Sequence, residues 1–216
     1  MMSIGVGSGV NIAGRMTPDY PLVCLDETSK QFLAETRLPI PMKPGRPARC
    51  DYEYERNGTA NIFMMFAPLE GWRHVKVTDR HTAVDYAHVL KELADRYFTN
   101  AKTVVLVQDN LNIHGKGSLY EAFPTTEARR LVERFEWHYT PKHGSWLDLA
   151  ESELGVLTSQ CLGCRIADKQ TLVEEIAAWE HGPQCQSYQG QLAILNPQCP
   201  YQTQAPLPCN LNESGD

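Results

Sequence analysis

The chain has no run approaching the ~20 consecutive apolar residues that a bilayer crossing needs, and its first residues, MMSIGVGSGVNIAGR, lack the basic-then-apolar layout of a secretory signal. A soluble, cytoplasmic protein without a membrane partner is expected. Cysteine gives no framework either: seven is an odd count, the residues are scattered, and in a reducing compartment they read as free thiols. Cys161 and Cys164 form a CxxC, but no second pair with zinc spacing follows, and half a tetrahedral ligand set reads as helix-end cysteines. An excess of positive charge is missing too, since the net charge of −6 speaks against a general nucleic-acid binder working by phosphate neutralisation. From Gly182 onward there is no Lys or Arg and no lasting periodicity, so a poorly ordered tail is expected over residues 182–216.

What is present is local. Between Arg37 and Arg56 the segment RLPIPMKPGRPARCDYEYER gathers Lys43, Arg46, Arg49 and Arg56 around prolines and a glycine, which suits an extended loop along a DNA backbone as well as it suits a solvated loop. With 216 residues and 42% hydrophobic content, one good core is affordable and a second full domain would be cramped. Residues 1–20 are Gly-rich and aperiodic, a loose leader before a single domain over 21–181.

Periodicity fills in that domain. VCLD, FLAET, ANIFMMFAP and WRHVKVTD read as strands of an antiparallel meander, with Glu70 and Gly71 as a turn before the last. TAVDYAHVLKELADRYF repeats apolar residues at helical spacing behind a Thr82/Asp85 capping box. TVVLVQ is a buried central strand, followed by a helix within TTEARRLVERF, the strand FEWHYT, a helix around Glu151, and DKQTLVEEIAAWE capped by Asp168. The natural solution is α/β, a mixed sheet flanked by helices.

Three acids stand out against this pattern. Asp26 closes PLVCLD, Asp109 closes TVVLVQD, and Glu151 lies inside HGSWLDLAESELGVL, so three carboxylates far apart in sequence could meet at one site. Taken singly, each reads as well as a turn, a cap or a solvated helix residue. Together they would repel and raise one another's pKa unless a cation joined them, which points to bound divalent metal. Glu153 competes with Glu151, but two residues along a helix turn the side chain by roughly 200°. His81, Asp85 and His88 have near one-turn spacings that invite a second metal site, yet an exposed polar face is the simpler reading.

The words around the acids, CLDETSKQ, VQDNLNIH and HYTPKHGSWLDLAESELG in that order, resemble the DDE endonuclease domain of insertion-sequence transposases related to mariner elements, the IS six-thirty family. The resemblance runs from about Pro21 to Glu180 and implies an RNase H-like fold with a mixed five-stranded sheet. It implies Asp26, Asp109 and Glu151 as catalytic residues and as ligands of two Mg²⁺ ions, for which Mn²⁺ would substitute. It implies double-stranded DNA as partner, namely transposon ends and a TA-containing target, a homodimer in the active complex, and work on bacterial nucleoid DNA. Arg46, Arg49, Arg56, His114, Lys142 and His143 are the candidate DNA contacts, and Asn110 could steady a metal-bound water. Asp148 stands where such words often carry Asn and is not counted as a ligand.

Two features depart from the family. Complete transposases of this kind carry a helix-turn-helix region before the first acid, where this sequence shows only the leader, so recognition of ends would need a partner. A back-translation of residues 184–206 read one nucleotide out of phase can give a basic ending like the family's, which makes a frameshifted tail the expectation. Metal-dependent strand cleavage and strand transfer is the leading function. The alternatives are an idle remnant that inhibits an intact transposase and a stand-alone RNase H-like nuclease.

Overall fold

The computed structural model describes residues 17–37, 40–47, 52–141 and 149–181. The predicted tail and most of the leader lie outside them, as do Arg49, Lys142, His143, Trp146 and Asp148. The end of the leader forms a turn, Thr17 bridging Tyr20, and the Asp19 carbonyl accepts from the amides of Lys102 and Thr103, just before the strand that starts at Val104.

Five strands form one sheet in the order β3-β2-β1-β4-β5. β1 (Leu22–Glu35), β2 (Tyr54–Ala67) and β3 (Trp72–Thr78) are the expected antiparallel meander, while β4 (Val104–Gln108) and β5 (Phe135–Tyr139) run parallel to β1. Gly71 has φ +60, the left-handed backbone that the turn before β3 requires. VCLD and FLAET prove to be one strand, because the polar stretch between them stays paired with β2 through Thr28↔Ile62 and Lys30↔Ala60. Their polarity has long-range causes. Lys30 Nζ donates to the carbonyls of Leu162 at 2.6 Å and Cys164 at 3.3 Å, and the bulge between Gln31 and Leu33 frees the Leu33 amide to reach Ile166 O at 2.8 Å.

Strand alternation sorts the side chains into two cores. Behind the sheet, Val23, Leu25, Phe63, Met65, Val104 and Leu106 pack against α1 (Ala83–Glu92), α2 (Lys116–Ala122) and α3 (Thr125–Arg134). In front, Leu22, Cys24, Ile62, Met64, Val105 and Val107 pack against α4 (Leu149–Gln160) and α5 (Lys169–His181).

α1 begins at the expected capping box, Thr82 accepting from the Asp85 amide and Asp85 from the Thr82 amide. It closes in a π-helical turn, Leu93–Tyr97, whose carbonyl end is held by Arg134: its guanidinium donates to the carbonyls of Ala101 and Phe98, among others. α2 was not expected. It is a short helix opened by Gly115 without a side-chain cap, held by burial of Leu119.

α4 buries Ala150, Glu153, Leu154 and Leu157, one face at helical spacing. α5 starts at Asp168, which accepts from the Thr171 amide at 2.9 Å. At its far end Glu180 accepts from the Val75 amide of β3 at 2.6 Å and lies 3.0 Å from His74. Cys161 and Cys164 sit where α4 ends. Burial pushes the Cys161 thiol up to about 11, as befits packing rather than redox or metal work.

Candidate active site

Leu25 of β1 pairs with Gln108 of β4 in parallel register, so the next residues, Asp26 and Asp109, emerge side by side. Asp26 does not end its strand; it marks the point on β1 where pairing with β4 runs out. Both side chains follow the alternation of Cys24 and Val107 onto the front face, where α4 crosses. Asp26, Asp109 and Glu151 line one cleft of about 370 Å³, together with Glu27, Thr28, Leu154, Gly155 and Thr158.

Which acid α4 offers is decided by the helix's rotation. Glu153 points into the protein: it is 1% exposed and pairs with Arg73 Nη1 at 2.6 Å. The Arg73 guanidinium in turn lies 3.5 Å from the centre of the Trp179 ring and donates to the Trp179 carbonyl. Glu151, two residues earlier, is exposed to the cleft.

The two aspartates are anchored alike. Asp26 Oδ1 accepts from the Glu27 amide at 2.8 Å, and Asp109 Oδ1 accepts from the Leu111 amide at 3.2 Å and from the His114 ring. Among the described residues, no hydrogen bond reaches Oδ2 of either, and no Lys or Arg pairs with Asp26, Asp109 or Glu151. Burial pushes the Asp26 carboxyl up to about 6 from 3.8; the neighbouring charges of Glu27, Asp109 and Glu151 add to the rise, against the pull of the Glu27 amide. Carboxylate oxygens crowded with no Lys or Arg paired to them are the donor set that a hard divalent cation takes. The residues present fit such an ion.

His114 lies behind the acids. The loop after β4 curls back through a bond from the His114 amide to Leu111 O at 2.9 Å, which brings the His114 ring beside Asp109. The ring is buried, with Nδ1 on Asp109 and Nε2 2.9 Å from Glu27 Oε2. The Gln108 amide and the Tyr139 hydroxyl donate to the His114 carbonyl, and the ring faces Tyr86 at 4.9 Å. Burial works to lower the His114 pKa, but Glu27 and Asp109 outweigh it and hold the ring above its ordinary 6.5.

Glu27 is the residue that sequence reasoning missed. It continues the apolar rear row of Val23 and Leu25, a charge where a hydrophobe would be expected, and that break in alternation was the available signal. Its other oxygen lies 3.0 Å from His81 Nε2, so His81 turns inward and is no part of an exposed polar face. Asp85 is spent on the cap, and His88 stays exposed with its ring edge against Phe123. Glu27, Asp109 and His114 bring potential ligand atoms within 4.8 Å of one another. The two ring nitrogens point at different carboxylates, however, so the ring bridges the acids and one ion could not be bound through both edges.

Of the remaining candidates, Arg46 and Arg56 are exposed on the β1-β2 connection and its strand, away from the acids in sequence. Lys43 and Arg46 are joined by a tight turn at Gly45, φ +75. Asn110 is exposed beside Asp109.

Residues 21–173 match the family model of the DDE superfamily endonuclease, and the chain belongs to that family. Its fold is the RNase H-like one. Among solved structures it is similar to the Mos1 Strand Transfer Complex, at 15% identity and TM-score 0.53, over 85% of this chain and 54% of that one. It is similar also to the Mos1 transposase paired-end complex with left transposon end, at 14% identity and TM-score 0.50, over 85% and 55%. The chain thus spans about half the length of the Mos1 chains it matches, and at these identities the likeness concerns the fold alone. No curated protein gives a significant match. Among the described residues, no helix is long and apolar enough to cross a membrane.

Proposed function

We propose that residues 21–181 are the catalytic domain of a DNA transposase, cutting DNA strands and transferring the freed end by in-line displacement at phosphorus, with Asp26, Asp109 and Glu151 as its catalytic carboxylates. The observation that carries this reading is the shared cleft: three acids from β1, β4 and α4, two of them with one oxygen anchored and one left over, in a protein of the endonuclease family.

These carboxylates would hold two Mg²⁺ ions, with Mn²⁺ as substitute. Such ions, when bound, activate the attacking oxygen and neutralise the leaving one. The chain's own part is to fix the acids on rigid elements and to leave the cleft floor open. Gly155, one turn beyond Glu151, lines the cleft, and nothing lies within 4 Å of where a Cβ would stand, so a phosphate backbone can approach α4 closely. Water attacks the phosphate at an element end and breaks its P–O3′ bond, freeing a 3′-hydroxyl; that hydroxyl then attacks a target phosphate at the same site and displaces the target strand's own 3′-oxygen, which leaves as a hydroxyl. Neither step needs a covalent bond to the protein.

Arg46, Arg49 and Arg56, with Lys142 and His143 before α4, are the cations proposed to lie along the DNA. His114, in contact with Glu27 and Asp109, is proposed to serve the acids from behind in place of a DNA contact. The partners proposed are double-stranded transposon ends, a TA-containing target and a second copy of the chain, on the DNA of a bacterial cytoplasm. The test is cleavage of DNA carrying element ends with Mg²⁺ or Mn²⁺, wild type against Asp109→Ala. Metal-dependent cutting by the wild type alone is expected; equal cutting by both would remove the assignment.

A further inference from the structure

We infer that Glu27 and His114 are positioning residues for Asp109: the chain Glu27 Oε2, His114 Nε2, His114 Nδ1, Asp109 Oδ1 fixes the carboxylate from behind and turns Oδ2 to the cleft. The inference rests on the proposed role of Asp109 as a metal ligand.

Three observations carry it. The ring of His114 is fully buried and touches both carboxylates through opposite nitrogens, so it has one place to be. Its backbone is fixed independently, since Gln108, itself buried and held by the Tyr86 hydroxyl at 2.6 Å, donates to the His114 carbonyl at 2.8 Å. Finally, Glu27 occupies a core-facing position where a charge is costly unless it does something for a neighbour. Its carboxylate stands at pairing distance from His114 and His81 on either side, off the angles of good hydrogen bonds on both. Glu27 therefore restrains the His114 ring electrostatically more than by a directed bond, and the directed contact is the one that matters, onto Asp109. An outer contact of this kind sets the orientation and basicity of a ligand and can be worth a factor of about 10–100 in metal affinity.

The experiment measures Mn²⁺ binding to the full 216-residue chain by calorimetry, together with cleavage as a function of Mn²⁺ concentration. His114→Ala should weaken Mn²⁺ binding about tenfold or more, and excess Mn²⁺ should restore much of its cleavage rate. His114→Asn should recover part of the affinity, because its amide still offers a donor to Asp109 Oδ1. Glu27→Gln should lose less than His114→Ala, and the double variant should lose less than the sum of the two, since Glu27 acts on Asp109 through the ring besides lending its own charge near Asp26. Unchanged Mn²⁺ affinity in a folded His114→Ala chain, or losses that add in the double variant, would overturn the inference. If His114→Ala does not fold, the decision passes to His114→Asn, whose shorter side chain does not reach Glu27. Adding Glu27→Gln to it should then cost less affinity than Glu27→Gln costs the wild type, and an equal loss would overturn the chain of contacts. Asp109→Ala and Glu151→Ala separate the two layers: if they too bind Mn²⁺ normally, the proposed site has failed; if they bind weakly while His114 variants do not, only the positioning chain has.

Discussion

Among the described residues, two acidic clusters lie on opposite sides of the sheet, and they differ in whether lysine and arginine accompany them. Behind the sheet, Glu127 receives Arg130 and Lys91, whose hydrogen bonds hold its carboxyl down to about 2, and the same cations reach Asp95. In front, the charges that bear on Asp26 among the described residues are those of Glu27, Asp109 and Glu151, and burial with those charges pushes it up to about 6. One cluster joins the end of α1 to α3 and is complete as it stands. The other is strained by its own charge and is complete only with something added, so the place where a fold withholds lysine and arginine is where its chemistry is to be sought.

The largest break in that contrast should come from the front acids themselves. Asp26→Ala or Asp109→Ala should cut metal-dependent cleavage on the order of a thousandfold, while the metal-free chain keeps its fold by circular dichroism. The two glutamates of α4 sharpen the comparison within one helix. Glu153→Ala strips a buried ion pair of one partner and should cost about 3–5 kcal/mol in urea unfolding, whereas Glu151→Ala, at an exposed position, should stay within about 0.5 kcal/mol and lose activity instead.

The pH response should show the missing counter-charge directly. Because the folded pKa of Asp26 lies above its ordinary 3.8, its contribution to stability is full below that value and is lost as pH rises through about 6. The metal-free chain should therefore lose up to about 3 kcal/mol between pH 4 and 7 from this group. Mg²⁺ should raise Tm more at pH 7.5 than at pH 5, and a Mg²⁺ effect independent of pH would contradict the reading. The smallest effect belongs to the furnished cluster. Its pairs are partly exposed, so Glu127→Ala should cost only about 0.2–1 kcal/mol per pair lost, and less in high salt.

The three acids were legible because each signal was local: two apolar runs stopped at aspartate, and neighbouring words tied them to Glu151. Their convergence required only that the runs be adjacent parallel strands. What stayed illegible depended on distant partners. The polar middle of β1 looked like a gap between two strands because Lys30 and the Leu33 amide answer to residues 162–166, more than a hundred positions away. α2 has no cap and a glycine within it, so its helicity comes from tertiary packing. The π-turn at Leu93–Tyr97 depends on Arg134, supplied from another helix. Glu27 was hidden for the opposite reason: it sits beside the conspicuous Asp26, and the pleat sends the two to opposite faces.

The contact between Glu180 and the Val75 amide has a bearing beyond holding α5 in place. β3 forms one border of the sheet, and a bare border of backbone donors invites a strand from a neighbouring molecule to add itself. With a carboxylate already seated on Val75 and the adjoining His74 engaged by the same group, an incoming strand would find its register blocked and a negative charge in its way. The last turn of α5 thus covers part of the sheet's border where edge-to-edge pairing would otherwise begin.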